Sequence, residues 1–252
     1  SKSSYPPANE RRIRVLEKTE AYQEALDACL HLLDQSDNEE ENEFAERFSD
    51  RLKKKLQLPY TTKAKSIFVT EQVYIPIDKS ARIEEQILHH YLELGFTGFY
   101  SENGIWKALF ALLFWEVIFM PIAEVFYNPY QRGPIDLFTD EFRKKREEAF
   151  QRRFSELEEL NLEEIIPVIY DAKYNTANSL ISWKYISKEQ LIMLLHFVPK
   201  KHILDILDRM SFNLKDLRTG FPDLMIFDEK DTSYFAAEVK GPGDQLRLNQ
   251  KR

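Results

Sequence analysis

The sequence predicts an α/β protein, and three stretches carry that prediction. Residues 219–240, TGFPDLMIFDEKDTSYFAAEVK, hold two apolar runs, Leu224 to Phe227 and Tyr234 to Val239, separated by a polar turn. That is the pattern of two short paired strands. Residues 105–120 are apolar almost throughout, interrupted by Lys107 and Glu116 and stopped before Pro121, which reads as a helix buried in a large core. Nearer the start, Tyr22, Ala25, Leu26, Cys29, Leu30 and Leu33 recur at helical spacing. The expected chain is a helix-rich N-terminal region followed by a larger domain in which helices accompany a small sheet.

Composition bounds the function classes. The 252 residues can bury a sizeable core in one large domain or two small ones. A hydrophobic content of 43% and a charged content of 31% fit a globular chain. The net charge of −7 does not advertise a nucleic-acid binder, so any affinity for phosphate must come from local clusters of Lys and Arg. Cys29 is the single cysteine, which excludes an intrachain disulfide and points to a reducing compartment. The polar start SKSSYPPANERR lacks the apolar segment of a secretory signal. The apolar run at 105–120 is shorter than the roughly twenty residues of a membrane span and carries charge.

Taken in order, Asn9 or Thr19 is placed to cap the first helices, and a further helix runs from the acidic DNEEENE start to Leu56. Its negative first turn and its last turn of Lys53, Lys54 and Lys55 suit the helix dipole. Residues 66–77 alternate partially, which suggests one or two short strands ending at Pro76. Ser80 then caps a helix with Ile83, Ile87, Leu88, Tyr91 and Leu92 on its buried face, and Gly95 ends it. His89 and His90 have no partners at zinc-site spacing and read as structural. After Pro121, Pro129, Gly133 and Pro134 break regular structure. Asp140 caps a helix bearing Arg143, Lys144, Lys145, Arg146, Arg152 and Arg153, and from Leu157 to Leu214 the pattern is helical with breaks near Pro167, Trp183 and Pro199.

The chemistry lies in the hairpin. Alternation along the second strand sends Glu238 and Lys240 to one face and Val239 to the other. If the strands pair, Asp223 at the head of the first lies near Glu238 at the end of the second. Two carboxylates sharing a partly dry space repel and raise one another's pKa. A hard divalent cation such as Mg²⁺ or Mn²⁺ removes that cost and can activate a water beside a phosphate. For Asp and Glu-x-Lys alone, an ordinary hairpin with solvated charged ends is the better explanation, because such matches arise often by chance.

The surrounding residues add a resemblance. GFPDL, the fifteen-residue step from Asp223 to Glu238, and EVKGPGDQLRLNQ resemble the PD-(D/E)xK nuclease motif in its VRR-NUC form. Within that group the chain resembles the Fanconi-anaemia-associated nuclease family and its bacterial relatives. The resemblance implies a restriction-endonuclease-like core, a small mixed sheet flanked by helices, over residues 80–252, after a helical, repeat-like region with a short β segment over 1–79. It implies that Asp223 and Glu238 are metal ligands, that the Val239 carbonyl is another, and that Lys240 is the catalytic lysine. Ser-Glu-Asn-Gly at 101–104, ahead of the long apolar helix, matches the family's third metal-binding carboxylate, Glu102. PIDLFTDEFRKKR at 134–146 also resembles the family.

The family further implies one or two Mg or Mn ions, structure-selective hydrolysis of DNA near 5′ flaps, 5′-to-3′ exonuclease activity and a role in interstrand crosslink repair. The partner is then branched or flapped DNA, with no membrane, and with a homodimer or repair proteins as further candidates. The compartment is cytoplasmic in a bacterium and nuclear in a eukaryote. Arg143, Lys144, Lys145, Arg146, Arg152 and Arg153 form the densest positive cluster, either a solvated face or the contact to the DNA backbone. Lys53, Lys54 and Lys55, Arg11 and Arg12, and Gln250 on a helix after Asp244 are weaker candidates of the same kind. In the family that last helix continues and a further strand completes the sheet, so the domain is expected to be truncated at its C-terminal end. A junction resolvase or restriction-like nuclease of the same superfamily, or a non-catalytic DNA-binding scaffold, would use the same residues otherwise.

Overall fold

The computed structural model describes residues 6–35, 39–59, 71–76, 80–102, 104–217 and 220–241, which fall in two compact units, Ser1–Phe68 and Val69–Arg252. In the first unit, α1 (Pro6–Lys18), α2 (Tyr22–Gln35) and α3 (Glu39–Lys55) pack on one another. Their shared core contains Ile13, Ala25, Leu26, Cys29, Leu32 and Leu52, with Phe44 and Phe48 from α3. Burial pushes the Cys29 thiol up to about 11, which makes it an inert packing group. The helical period holds, but Leu30 faces solvent and Leu32 takes its place in the core. Neither expected cap forms. Asn9 lies inside α1, and the Thr19 hydroxyl donates back to the Val15 and Leu16 carbonyls at the end of that helix.

In the second unit the expected strand does not form over residues 71–76, and the rest of that stretch lies outside the described residues. Helix α4 (Ile83–Glu93) follows, with Arg82 rather than Ser80 as its N-cap. Leu92 is exposed and Tyr91 is the buried residue of the helix. Gly95 ends it at φ +89°, a left-handed conformation that costs glycine little. Strand β1 (Thr97–Tyr100) leads to α5 (Gly104–Leu113) and α6 (Trp115–Ile118). The apolar run is therefore two helices broken at Phe114, and Ile105 to Leu113 are buried apart from Lys107. Among the described residues no helix is long and apolar enough to cross a membrane.

Helices α7 (Glu141–Lys144), α8 (Glu147–Glu159), α9 (Leu162–Lys173), α10 (Lys188–Phe197), α11 (Lys200–Phe212) and α12 (Leu214–Leu217) share one core with α5, against which α9, α10 and α11 pack directly. Asp140 stands at the N-cap of α7 without a side-chain capping bond. The basic segment is divided between α7 and α8. Pro167 lies within α9 rather than ending it, because a proline forfeits a backbone donor without abolishing the helix when tertiary packing holds it. Ser187 caps α10 through a reciprocal bond with Gln190.

Strands β2 (Leu224–Asp228) and β3 (Ser233–Ala237) complete a three-stranded sheet in the order β1-β2-β3. Both pairings are antiparallel, so the described sheet is antiparallel rather than mixed. β2 is central. Met225 and Phe227 join the large helical core, while Leu224 and Ile226 pack with Tyr91 on the α4 side. This two-residue alternation buries both faces of the strand.

Gly98 sits in β1 directly against β2. A Cβ there would lie 2.6 Å from the Met225 carbonyl oxygen and 2.9 Å from Ile226 Cδ1. Gly98→Ala is expected to cost about 1–3 kcal/mol of stability through forced strand separation. Urea denaturation measures this, and a loss within experimental error would show that the strands absorb the methyl group.

Candidate active site

The register of the sheet builds the site. Leu224 pairs with Ala237, so the next step along the two strands sets Asp223 against Glu238. Val239 packs with the α4-side cluster. Its backbone N–H donates to Asp223 Oδ2 at 3.0 Å. Just beyond the end of β3, Lys240 Nζ donates to Glu238 Oε1 at 2.5 Å. Asp223, Glu238 and Lys240 are thus brought together at one end of the hairpin. The contact made by Val239 in this arrangement is through its amide.

Glu102 comes to the same end of the sheet from β1. β1 pairs with β2 up to Tyr100 opposite Leu224, and the contact continues as the Ser101 N–H donates to the Asp223 carbonyl at 2.7 Å. The exposed Glu102 carboxylate accepts a hydrogen bond from the Tyr100 hydroxyl. Burial, then this bond, then the charges of Glu102, Asp223 and Glu84 push the Tyr100 hydroxyl well above its ordinary pKa. The Tyr100 hydroxyl is therefore bonded to Glu102 and stands in the field of Asp223 and Glu84. The carboxylates do not close on a single point: among the described residues no three acidic, histidine or cysteine side chains stand close enough to enclose an ion.

Asp223 carries the electrostatic signature of the site. Burial pushes its carboxyl up to about 6, with Glu238 and Glu84 adding to the rise, while the Val239 N–H and Lys240 oppose it. Carboxylate oxygens crowded in this way are the hard donors that Mg²⁺ or Mn²⁺ takes, with waters completing the shell. In its chemistry, though not gathered round one point, the donor set suits such an ion. Glu84, in the first turn of α4, adds its charge to the field at Asp223 and Tyr100, a contribution the sequence does not show because a helix-start acid is ordinarily explained by the helix dipole.

The raised value makes a stability prediction. Between pH 3.8 and about 6 the folded chain holds the Asp223 proton more tightly than the unfolded chain. The stability from this group is therefore complete below the lower value and lost as pH rises through the upper one. Asp223→Asn is expected to raise the melting temperature of the metal-free protein at about pH 8, with a smaller gain at about pH 4. Thermal denaturation at the two pH values checks this, and equal shifts at both would contradict it.

The basic candidates separate by burial. Arg143 and Arg146 are 6% and 1% exposed. Arg143 reaches Glu147 and Ser211 and lies over the rings of Phe150 and Phe212. Arg146 grips Asp136 through both terminal nitrogens, at 3.0 and 3.2 Å. Both guanidiniums are committed inside the fold, so the expectation that they touch DNA is corrected. Arg153 is half-spent on the Leu113 carbonyl and Glu156. Lys144, Lys145 and Arg152 remain at the surface.

In the first unit, Arg11, Arg12 and Lys54 are exposed and Lys53 is half-buried. Lys55 is drawn to Glu17 at 2.9 Å and to the Tyr22 ring. Gln250, Asp244 and the helix expected after them lie outside the described residues. His89 lies exposed on α4 with its Nδ1 3.5 Å from Glu93, and His90 meets Tyr91 edge-on.

Comparison with known proteins places this geometry in context. The VRR-NUC domain family matches residues 157–252, a span that includes Asp223, Glu238 and Lys240 and leaves Glu102 outside. The chain is 31% identical to the Fanconi-associated nuclease 1 homolog of Pseudomonas aeruginosa, over 99% of this chain and 45% of that protein. It is 36% identical to Fanconi-associated nuclease 1 of Danio rerio, over 67% of this chain and 18% of that protein. Among solved structures, paFAN1 bound to 5′-flap DNA with a two-nucleotide flap and a gap superposes with a TM-score of 0.81 at 31% identity, covering 99% of this chain and 46% of that one. The chain thus spans less than half the length of these relatives.

Proposed function

Because this chain belongs to the Fanconi-associated nuclease family and carries its VRR-NUC domain, we propose that it forms the catalytic part of a divalent-metal-dependent, structure-selective DNA nuclease. Its substrate in this reading is DNA near a 5′ flap, hydrolysed with 5′-to-3′ exonuclease activity during interstrand crosslink repair. The observation that carries the reading is the bond from the Val239 N–H to Asp223 Oδ2, which fastens the Asp223 carboxylate beside the Glu238 and Lys240 strand. The flap DNA bound by paFAN1 supports the choice of substrate class.

Asp223 and Glu238, with Glu102 from β1 and the Val239 carbonyl, are the oxygens that would hold one or two Mg²⁺ or Mn²⁺ ions. Such an ion supplies Lewis-acid stabilisation at the phosphate and a water of lowered pKa. Asp223 must be ionised to take part. Lys240, positioned by Glu238, offers an ammonium that can orient the attacking water or neutralise charge on the phosphate. No side chain need become covalently attached to the DNA. Lys144, Lys145 and Arg152 are the surface cations on α7, α8 and their junction that would meet backbone phosphates, giving salt-sensitive, sequence-independent affinity.

The test is Mn²⁺-dependent digestion of an end-labelled 5′-flap duplex by the full-length protein and its Glu238→Ala variant, with four-way junction and plain duplex DNA alongside. Preferred cleavage of the flap, stopped by EDTA and by the substitution, is expected. Product lengths report polarity and step size. Equal cleavage by Glu238→Ala would overturn the reading, and preference for the four-way junction would make the enzyme a resolvase.

A further inference from the structure

Glu102 is separated from Asp223 by most of the larger unit's sequence, yet reaches the same end of the sheet. The contact rests on one buried residue. Ser101 is 5% exposed and is bonded at every polar position. Its N–H donates to the Asp223 carbonyl at 2.7 Å, and its hydroxyl donates to the Pro222 carbonyl at 2.7 Å, across 121 residues of chain. Its own carbonyl accepts from the Gly104 N–H at 2.9 Å. The residue directly before Glu102 is thus tied to both residues of the Pro222-Asp223 pair.

On the other side of Ser101, Tyr100 ends β1 opposite Leu224 and packs with the α4-side cluster. Its hydroxyl donates to Glu102 Oε2. One neighbour fixes the backbone of Glu102 and the other fixes its carboxylate. Buried hydroxyls persist in folds when bonded, and a carboxylate given a donor loses rotamers it would otherwise sample.

We propose that Ser101 and Tyr100 are positioning residues for Glu102: the Ser101 latch on Pro222 and Asp223 sets its backbone, and the Tyr100 hydroxyl sets its carboxylate for the divalent ion. This rests on the metal-dependent reading given above. Neither residue touches the ion or the DNA in this assignment.

The experiment is titration of Mn²⁺ into the full-length protein without DNA, followed by the electron paramagnetic resonance of free Mn²⁺, for Ser101→Ala, Tyr100→Phe and Glu102→Ala. Removing a partner of a metal ligand typically weakens affinity by about 10–100-fold. Ser101→Ala and Tyr100→Phe are each expected to weaken Mn²⁺ by about 10-fold or more. With saturating Mn²⁺, kcat on the flap substrate should recover while KM for DNA stays at the wild-type value. Tyr100→Phe removes only one hydroxyl, so its melting temperature should match the wild type and keep the test decisive should Ser101→Ala unfold. If Glu102→Ala weakens Mn²⁺ but Tyr100→Phe and a folded Ser101→Ala bind it as tightly as wild type, the positioning role is overturned and the metal reading stands. If Glu102→Ala itself leaves Mn²⁺ affinity and cleavage intact, the assignment of Glu102 to the ion fails and the positioning role fails with it.

Discussion

Asp223→Ala is expected to abolish flap cleavage, lowering kcat by more than about a hundredfold, because losing a ligand outright should exceed the 10–100-fold typical of losing its supporting partner. The substitution removes a carboxylate that meets Glu238 across the strands and accepts the Val239 N–H. It also leaves that N–H to find water. DNA affinity should persist, since phosphate contacts come from cations elsewhere on the surface. Single-turnover cleavage with saturating protein separates chemistry from binding, and a gel-shift titration in Ca²⁺ measures affinity. A variant that binds and cleaves like the wild type would remove Asp223 from the chemistry.

Arg146→Ala is expected to cost about 3–5 kcal/mol of stability, the usual penalty for stranding one member of a buried ion pair. Arg146 lies among the largest fully buried side chains, with its guanidinium over the Phe142 ring at 4.5 Å. Its Nη1 also donates to the Phe142 carbonyl at 3.1 Å. Asp136, 6% exposed, would be left with Lys145 at 4.0 Å as its remaining cation. The melting temperature should fall on the order of 10 °C. Replacing both partners, Asp136→Leu with Arg146→Met, should recover most of the loss, because no buried charge then remains uncompensated. Denaturant unfolding of the single and double variants decides this. A single variant as stable as Lys144→Ala would mean that the guanidinium contributes no more than a surface charge.

These two residues mark how far a sequence reading reaches. Asp223 and Glu238 were legible because alternation along a strand and a short turn constrain which residues oppose one another. The structure adds the pairing itself and the Val239 bond. Arg146 was not legible. A run such as Arg143-Lys144-Lys145-Arg146 looks the same whether it coats a helix or half of it turns inward, and the partners that settle it, Asp136, Ser211 and the phenylalanine rings, are contributed by other elements. Leu30 and Leu92 fail for a similar reason. Each fits a helical period, but the period does not say how wide the buried stripe is.

Local order therefore determined the helices, the hairpin and the opposition of Asp223 to Glu238, since backbone periodicity acts over a few residues and is written in the chain. Tertiary packing alone decided which arginines turn inward, that Glu84 joins the electrostatics of the site, and that Ser101 fastens β1 to Pro222 and Asp223. The physical reason is range. A carboxylate's neighbours set its charge state, and those of Asp223 arrive from α4 and from the far side of the hairpin; the spacing of α4 along the polymer carries no information about its distance in space.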